Sequence, residues 1–431
     1  MLKKIRTLLG KTKDGYKSAY LWTGMQSIMA ALQSIVIMAV CTRTCGINDA
    51  GVFAIGFAIA NLMYYIGLFG VRRYQATDLS EEHSFQDYNG ARVFTCILMM
   101  LGCLGYCVYG IFFNGYNADK FIVIMLICIF KCIMAYDDMY HGRMQQCDML
   151  HVAARIATFR YIICLGICCV MLVETNDLVV SMAVYTGIYL VLTIVLSANA
   201  ATDFGSIRPE FHRNEIKSII IACFPLCVAA FLSNYIGNAS KYAIEAYLND
   251  TMQAYYGYIF MPAFAINLIT NFIFNPMLTK YARIWEETDI KLFVKKIERV
   301  ALLILLVTLG SVAIAYLIGI PVLSLVFGVN LEGYRGELCI AIIGGGMFAY
   351  STFFMNIVTI IREQQVILVA YIIVTAITLA VMKYFITKWL IMGGVLLYGI
   401  SMTALAVSLL IIMAVKIRGY YKKETENTID R

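Results

Sequence analysis

Mostly apolar stretches of about 18 to 28 residues recur twelve times along this chain, and no other feature limits its folding so strongly. A helix needs about 20 such residues to cross a bilayer, and hydrocarbon admits only structures that satisfy their own backbone N–H and C=O groups. The stretches lie at about 18–42, 50–71, 91–113, 119–137, 153–173, 178–199, 217–249, 253–278, 300–327, 337–361, 365–387 and 390–416. They predict an all-α polytopic membrane protein of twelve transmembrane helices. A soluble globular chain is excluded by 61% hydrophobic residues, 14% charged residues and a mean hydropathy of +0.77.

Positive charge sets the expected orientation. With the amino terminus inside, 26 of the 34 Lys and Arg residues fall in inner segments and six in outer ones. Only Lys131 and Arg160 then remain within apolar stretches. Both termini are therefore expected in the cytoplasm. The net charge of +7 reads as this topology signal, with weak attraction to anionic membrane lipids; nucleic acid is not implied. Lys3 to Lys17 precede the first stretch with no small-residue cleavage site after it, so that helix is expected to be retained.

A polar connection at 201–216 divides the chain into an N-terminal six-helix lobe, 1–200, and a C-terminal one, 217–417, followed by a charged cytoplasmic tail, 418–431, expected to be disordered. Because six is even, the second lobe re-enters in the orientation of the first. That is a 6+6 parallel repeat, expected to enclose a central cavity. At a constant offset Asn48-Asp49 echoes Asn249-Asp250, and Gly56 echoes Gly257.

Within the stretches, polar residues keep helical spacing. Asn234, Asn238, Lys241 and Glu245 share one face of the seventh, and Asn267, Asn271 and Asn275 one face of the eighth. Gln26 and Gln33 mark the first stretch with Thr23, Ser27 and Ser34, Asn61 sits mid-depth in the second, and Thr352, Asn356 and Thr359 line the tenth. An unpartnered polar group in hydrocarbon costs several kcal/mol, so such rows face either a wet substrate path or a neighbouring helix that they glue. Arg72, Arg73, Lys131 and Arg160 likewise admit two readings. The four form a cationic vestibule suited to a phosphate-bearing headgroup, or Lys131 and Arg160 either snorkel to the lipid headgroups or pair with Asp137 and Asp138. Pro225, Pro262, Pro276 and Pro321 are candidate bending points or static kinks.

Catalytic chemistry is thin. His83, His141, His151 and His212 all fall in predicted inner loops, and the fourteen cysteines, at spacings such as Cys103/Cys107, read as small packing residues. No nucleotide loop, metal cluster or paired carboxylates suggest an enzyme, and no cofactor is expected; a coupling ion, H+ or Na+, stays unspecified. The central parts of the stretches hold no Asp or Glu, which disfavours a carboxylate-based exporter of cationic drugs and favours an anionic cargo.

The segments GVFAIGFAIANLMYYIGLFGVRRY around the second stretch and EAYLNDTMQAYYGYIFMPAFAINLITNFIFNPMLTKYA around the eighth, with the basic start and the six-plus-six layout, resemble the polysaccharide-export branch of the multidrug/oligosaccharidyl-lipid/polysaccharide (MOP) flippase superfamily, in particular Wzx-type repeat-unit translocases. The resemblance implies two six-helix lobes with stretches one, two, seven and eight lining a cavity, in a bacterial plasma membrane. It implies as cargo an undecaprenyl-pyrophosphate-linked oligosaccharide of an O-antigen, capsule or exopolysaccharide, moved from the inner to the outer leaflet beside glycosyltransferases and a polymerase. An ion-coupled drug or metabolite antiporter of the same fold and a membrane enzyme of polysaccharide assembly are the alternatives. The chain departs from related flippases in having no arginine inside stretches one and eight; Arg72 and Arg73 close stretch two, and the resemblance then implies either that Lys241 substitutes or that the pyrophosphate is held nearer the inner surface.

Overall fold

A computed structural model describes residues 15–77, 83–147, 149–204, 206–274, 281, 283–285, 287, 289–361 and 364–429. Among them all regular structure is helical, and twelve long helices follow in order. The first six are α1 (Gly15–Thr44), α2 (Ile47–Leu68), α3 (Phe85–Phe113), α4 (Ala118–Gln146), α5 (Leu150–Thr175) and α6 (Leu178–Leu192, prolonged to 201). The next four are α7 (Arg213–Tyr247), α8 (Asp250–Phe274), α9 (Ile290–Ile314, prolonged to Phe327) and α10 (Arg335–Ile360). The last helical stretch, Gln364–Ile429, is two helices, α11 (364–389) and α12 (391–429), because Leu390 is non-helical at φ 50°, ψ −124°.

The helix ends follow local chemistry. Ser84, Asn117, Asp177 and Asp289 each accept a backbone N–H three residues on, capping α3, α4, α6 and α9. Phe69 turns left-handed after α2 at φ 49°, followed by Gly70 at φ 75° before the short helix Val71–Thr77. Pro225 and Pro262 lie inside α7 and α8. Pro321, by contrast, follows a π-helical turn at Ala315–Gly319, which rewires the ladder where proline has no N–H to give. Pro276 lies outside the described residues.

The chain divides into two compact units, Met1–Phe231 and Leu232–Arg431. The division falls inside α7, one and a half turns after Pro225, and not in the polar connection. In unit 1, α2 packs on α3 and α4, α4 on α6, and α1 on α5. In unit 2, α10 is central, packed on α8, α9 and the α11–α12 pair. Hydrocarbon provides no hydrophobic force between helices, so contact depends on close approach. The run Gly344-Gly345-Gly346 supplies it in three directions: a Cβ would meet Tyr398 of α12 from the first, the Ala263 carbonyl of α8 from the second and Thr308 of α9 from the third. The second is the tightest, 2.3 Å from a backbone oxygen that cannot rotate away. Gly345→Ala is expected to destabilise unit 2 by about 1–3 kcal/mol through overpacking, read as a lower melting temperature in detergent; an unchanged melting temperature would mean α8 and α10 separate without cost.

Candidate substrate-contacting site

Charge in unit 1 gathers where α2, α3, α4, α5 and α6 converge. Helix α4 runs nine residues beyond its predicted end at 137, so Asp138 and His141 lie within a helix beside Asp137, which corrects the expectation of histidines confined to loops. Asp137, 2% exposed, takes a hydrogen bond from Arg160, 1% exposed, and lies 3.2 Å from His141 Nε2. Arg160 is further held by Thr193 and Ser197, each at 3.0 Å. A π-helical turn at Thr193–Ala198 carries both hydroxyls. Arg160 is thus a closed structural ion pair, not a vestibule cation. A buried carboxylate and guanidinium need each other's charge and every nearby donor.

The second aspartate is shared. Asp138 accepts from Arg72 at 2.7 Å and from Arg92 at 3.4 Å; Arg72 also donates to Gln145 Oε1, and Arg92, fully buried, donates to the Gly67 carbonyl at the end of α2. Sequence reading counted Arg92 as an inner-end cation because α3 seemed to begin at 91. The signal for its true start is Ser84-x-x-Asp87, a helix-start pattern in which the Ser84 side chain accepts the Asp87 N–H. Three guanidiniums therefore meet two carboxylates here. Beside them lies a cavity of about 360 Å³ lined by Tyr65, Leu68, Gly70, Arg72, Asp138, Gln145, Leu226 and Ala230. The side chain of Arg73 lies outside the described residues.

Lys131 differs from these arginines. It is 5% exposed, and its Nζ stands 4.5 Å from the Phe57 ring centroid, 5.5 Å from Tyr64, 5.4 Å from Phe130 and 4.0 Å from Met134 Sδ. Among the described residues no carboxylate pairs with it. Lys241 repeats the arrangement in unit 2, half-buried with Nζ 5.0 Å from Phe260 and 5.4 Å from Phe264 of α8, again with no carboxylate pair among the described residues. Ring faces return about 2 kcal/mol to a desolvated cation, less than the several kcal/mol that burying an ammonium costs. Each lysine retains an unmet demand for an anion.

The amide stripes are partly internal. In α7 Asn238, 8% exposed, donates to the Asn234 carbonyl; Asn234 Oδ1 is buried with no hydrogen-bond partner among the described residues. Gln33 is buried, while Gln26 and Asn61 are half-buried. The side chains of Asn267 and Asn271 lie outside the described residues, as does Asn275. The hydroxyl stripes of Ser27, Ser34, Thr352 and Thr359 close onto carbonyls of their own helices, so hydroxyls at helical spacing say nothing about water. Asp87, Glu210 and His212 bring one possible metal-ligating atom each within 4.8 Å, but their closest approach, 2.8 Å, is a histidine–carboxylate hydrogen bond, and we read them as ion pairs.

No family model and no curated protein matches this sequence. Solved structures do match its fold. An inward-facing multidrug resistance MATE family transporter of the MOP superfamily aligns over 92% of this chain and 96% of its own, with 12% identity and a TM-score of 0.64. The eukaryotic MATE transporter AtDTX14 aligns over 95% and 98% with 13% identity and a TM-score of 0.61, and a Vibrio cholerae MATE transporter over 94% and 97% with 13% identity and a TM-score of 0.59. At these identities the likeness is one of fold: a multi-pass, all-helical architecture.

Proposed function

We propose that this chain is a transporter of the MOP superfamily that carries a lipid-linked anionic oligosaccharide, with an undecaprenyl-pyrophosphate carrier, from the inner to the outer leaflet of a bacterial plasma membrane. One observation carries this reading: each unit holds a membrane-embedded lysine on aromatic ring faces without a carboxylate pair among the described residues, Lys131 in one and Lys241 in the other. A pyrophosphate is the kind of anion each lysine lacks, aromatic faces suit sugar rings, and the polyprenyl tail stays in lipid. Arg72 and the cavity beside it suit the headgroup's entry. Glycosyltransferases and a polymerase are the partners such cargo requires.

A second reading is favoured by two observations. The matching folds are named as multidrug transporters, and the helices do contain buried acids, Asp137 and Glu245. These acids suit an ion-coupled antiporter of drugs or metabolites. Proteoliposomes separate the two. A fluorescent undecaprenyl-pyrophosphate oligosaccharide whose inner-leaflet pool becomes accessible to an external lectin only with the protein present supports the first. Proton- or sodium-driven movement of a cationic dye, with the oligosaccharide stationary, replaces it with the second.

A further inference from the structure

Two of the three histidines outside the charged cluster, His83 and His212, belong to one contact. The connection between α6 and α7 lies on the start of α3 through a series of bonds. Asn89 Nδ2 donates to the Ile207 carbonyl at 2.6 Å, and the Glu210 N–H donates to the Gln86 carbonyl at 3.1 Å. At Gly90 the approach is so close that a Cβ would stand 1.9 Å from the Glu210 carbonyl oxygen. Two titratable ties reinforce it: His212 Nδ1 lies 2.8 Å from Asp87 and 3.6 Å from Glu210, and His83 Nδ1 lies 2.8 Å from Glu215 in the first turn of α7.

We propose that residues 206–212 form a pH-sensitive strap: protonated His212 holds the connection against the start of α3, and its deprotonation releases the connection. The charges facing the histidines decide this. Asp87 from α3, Glu210 from the strap and Glu215 from α7 all act on His212, which stands 62% exposed at its side chain; Arg208 and Arg213 flank it along the chain, and the rings of Tyr74 and Tyr88 border His83. With the His212 imidazole charged, one cation faces the Asp87 and Glu210 carboxylates. With it neutral, those two carboxylates face one another and His212 loses its charge-assisted bond.

The hydrogen bond and charge of Asp87 raise the His212 pKa above its ordinary 6.5. A raised histidine pKa means the stabilisation is complete below 6.5 and disappears as pH climbs through the higher folded-state value. The strap is therefore closed in mildly acidic medium and opens on alkalinisation, loosening the first turn of a helix that carries Pro225 three turns further on. This does not depend on the identity of the cargo.

Hydrogen exchange of the full-length protein in lipid nanodiscs, from pH 5.5 to 8.5 and divided by the intrinsic exchange rate, tests it. Protection across 206–212 should fall about tenfold along a single sigmoid with its midpoint above 6.5. His212→Gln should give low protection without the sigmoid. Gly90→Ala, whose added carbon displaces the Glu210 carbonyl, should give low protection at every pH. A pH-independent wild-type profile, or a sigmoid that survives in His212→Gln, overturns the proposal; the wild-type profile alone decides if a variant does not fold.

Discussion

Arg160→Met is expected to lower stability by about 3–5 kcal/mol, the cost of leaving one member of a buried ion pair without the other. The change removes the guanidinium that Asp137, Thr193 and Ser197 all address, while the flexible methionine fills most of the same space. In a unit of this size that corresponds to a fall of roughly 10 °C in melting temperature. Asp137→Leu alone should be as harmful, since it strands Arg160 at 1% exposure. The double variant, with both charges gone, should recover most of the loss, because well-packed apolar residues are often as stable as the buried pair they replace. Circular dichroism of the detergent-solubilised single and double variants measures this. If Arg160→Met melts within 2 °C of wild type, the Arg160–Asp137 contact is not structural, and Arg160 returns to the candidates for cargo binding.

What the sequence disclosed about the fold came from hydrocarbon's demand on the backbone. Twelve apolar stretches predict twelve helices, and twelve long ones are present among the described residues, with Gly344-Gly345-Gly346 where α8, α9 and α12 approach α10. Helix ends were less legible where polar residues continue a helix beyond its apolar part. Asp138 and His141 fall beyond the predicted end of α4, yet the helix continues through them; Arg72 and Arg92 join Asp138, and Arg160 meets Asp137, a pairing that was one of the readings the sequence allowed. Periodicity reveals which residues share a face of one helix but is silent about what a different helix brings opposite. For the same reason the aromatic partners of Lys131 and Lys241 were not foreseen. Phe57, Phe260 and Phe264 look like ordinary apolar residues until the fold sets them under an ammonium group.

Lys131→Met should show the opposite signature from Arg160→Met: transport lost, stability kept or raised. No acid among the described residues depends on Lys131, so removing its charge strands nothing, and a thioether packs well against Phe57, Tyr64 and Phe130. The ammonium's desolvation cost is exceeded only when an anion arrives, so a stability gain of about 1 kcal/mol is expected on its removal. Loss of a charge-assisted bond to the cargo of about 1.5–3 kcal/mol corresponds to a fall of roughly 10- to 100-fold in translocation. Lys241→Met should act in the same direction with a smaller stability effect, because Lys241 is only half-buried. The two together should abolish lectin-accessible oligosaccharide in proteoliposomes at unchanged protein incorporation. A residue that destabilises the empty protein and earns its place only with ligand bound is a functional one. If Lys131→Met instead melts earlier and transports normally, the lysine is part of the packing, and the argument from uncompensated positive charge to an anionic cargo falls with it.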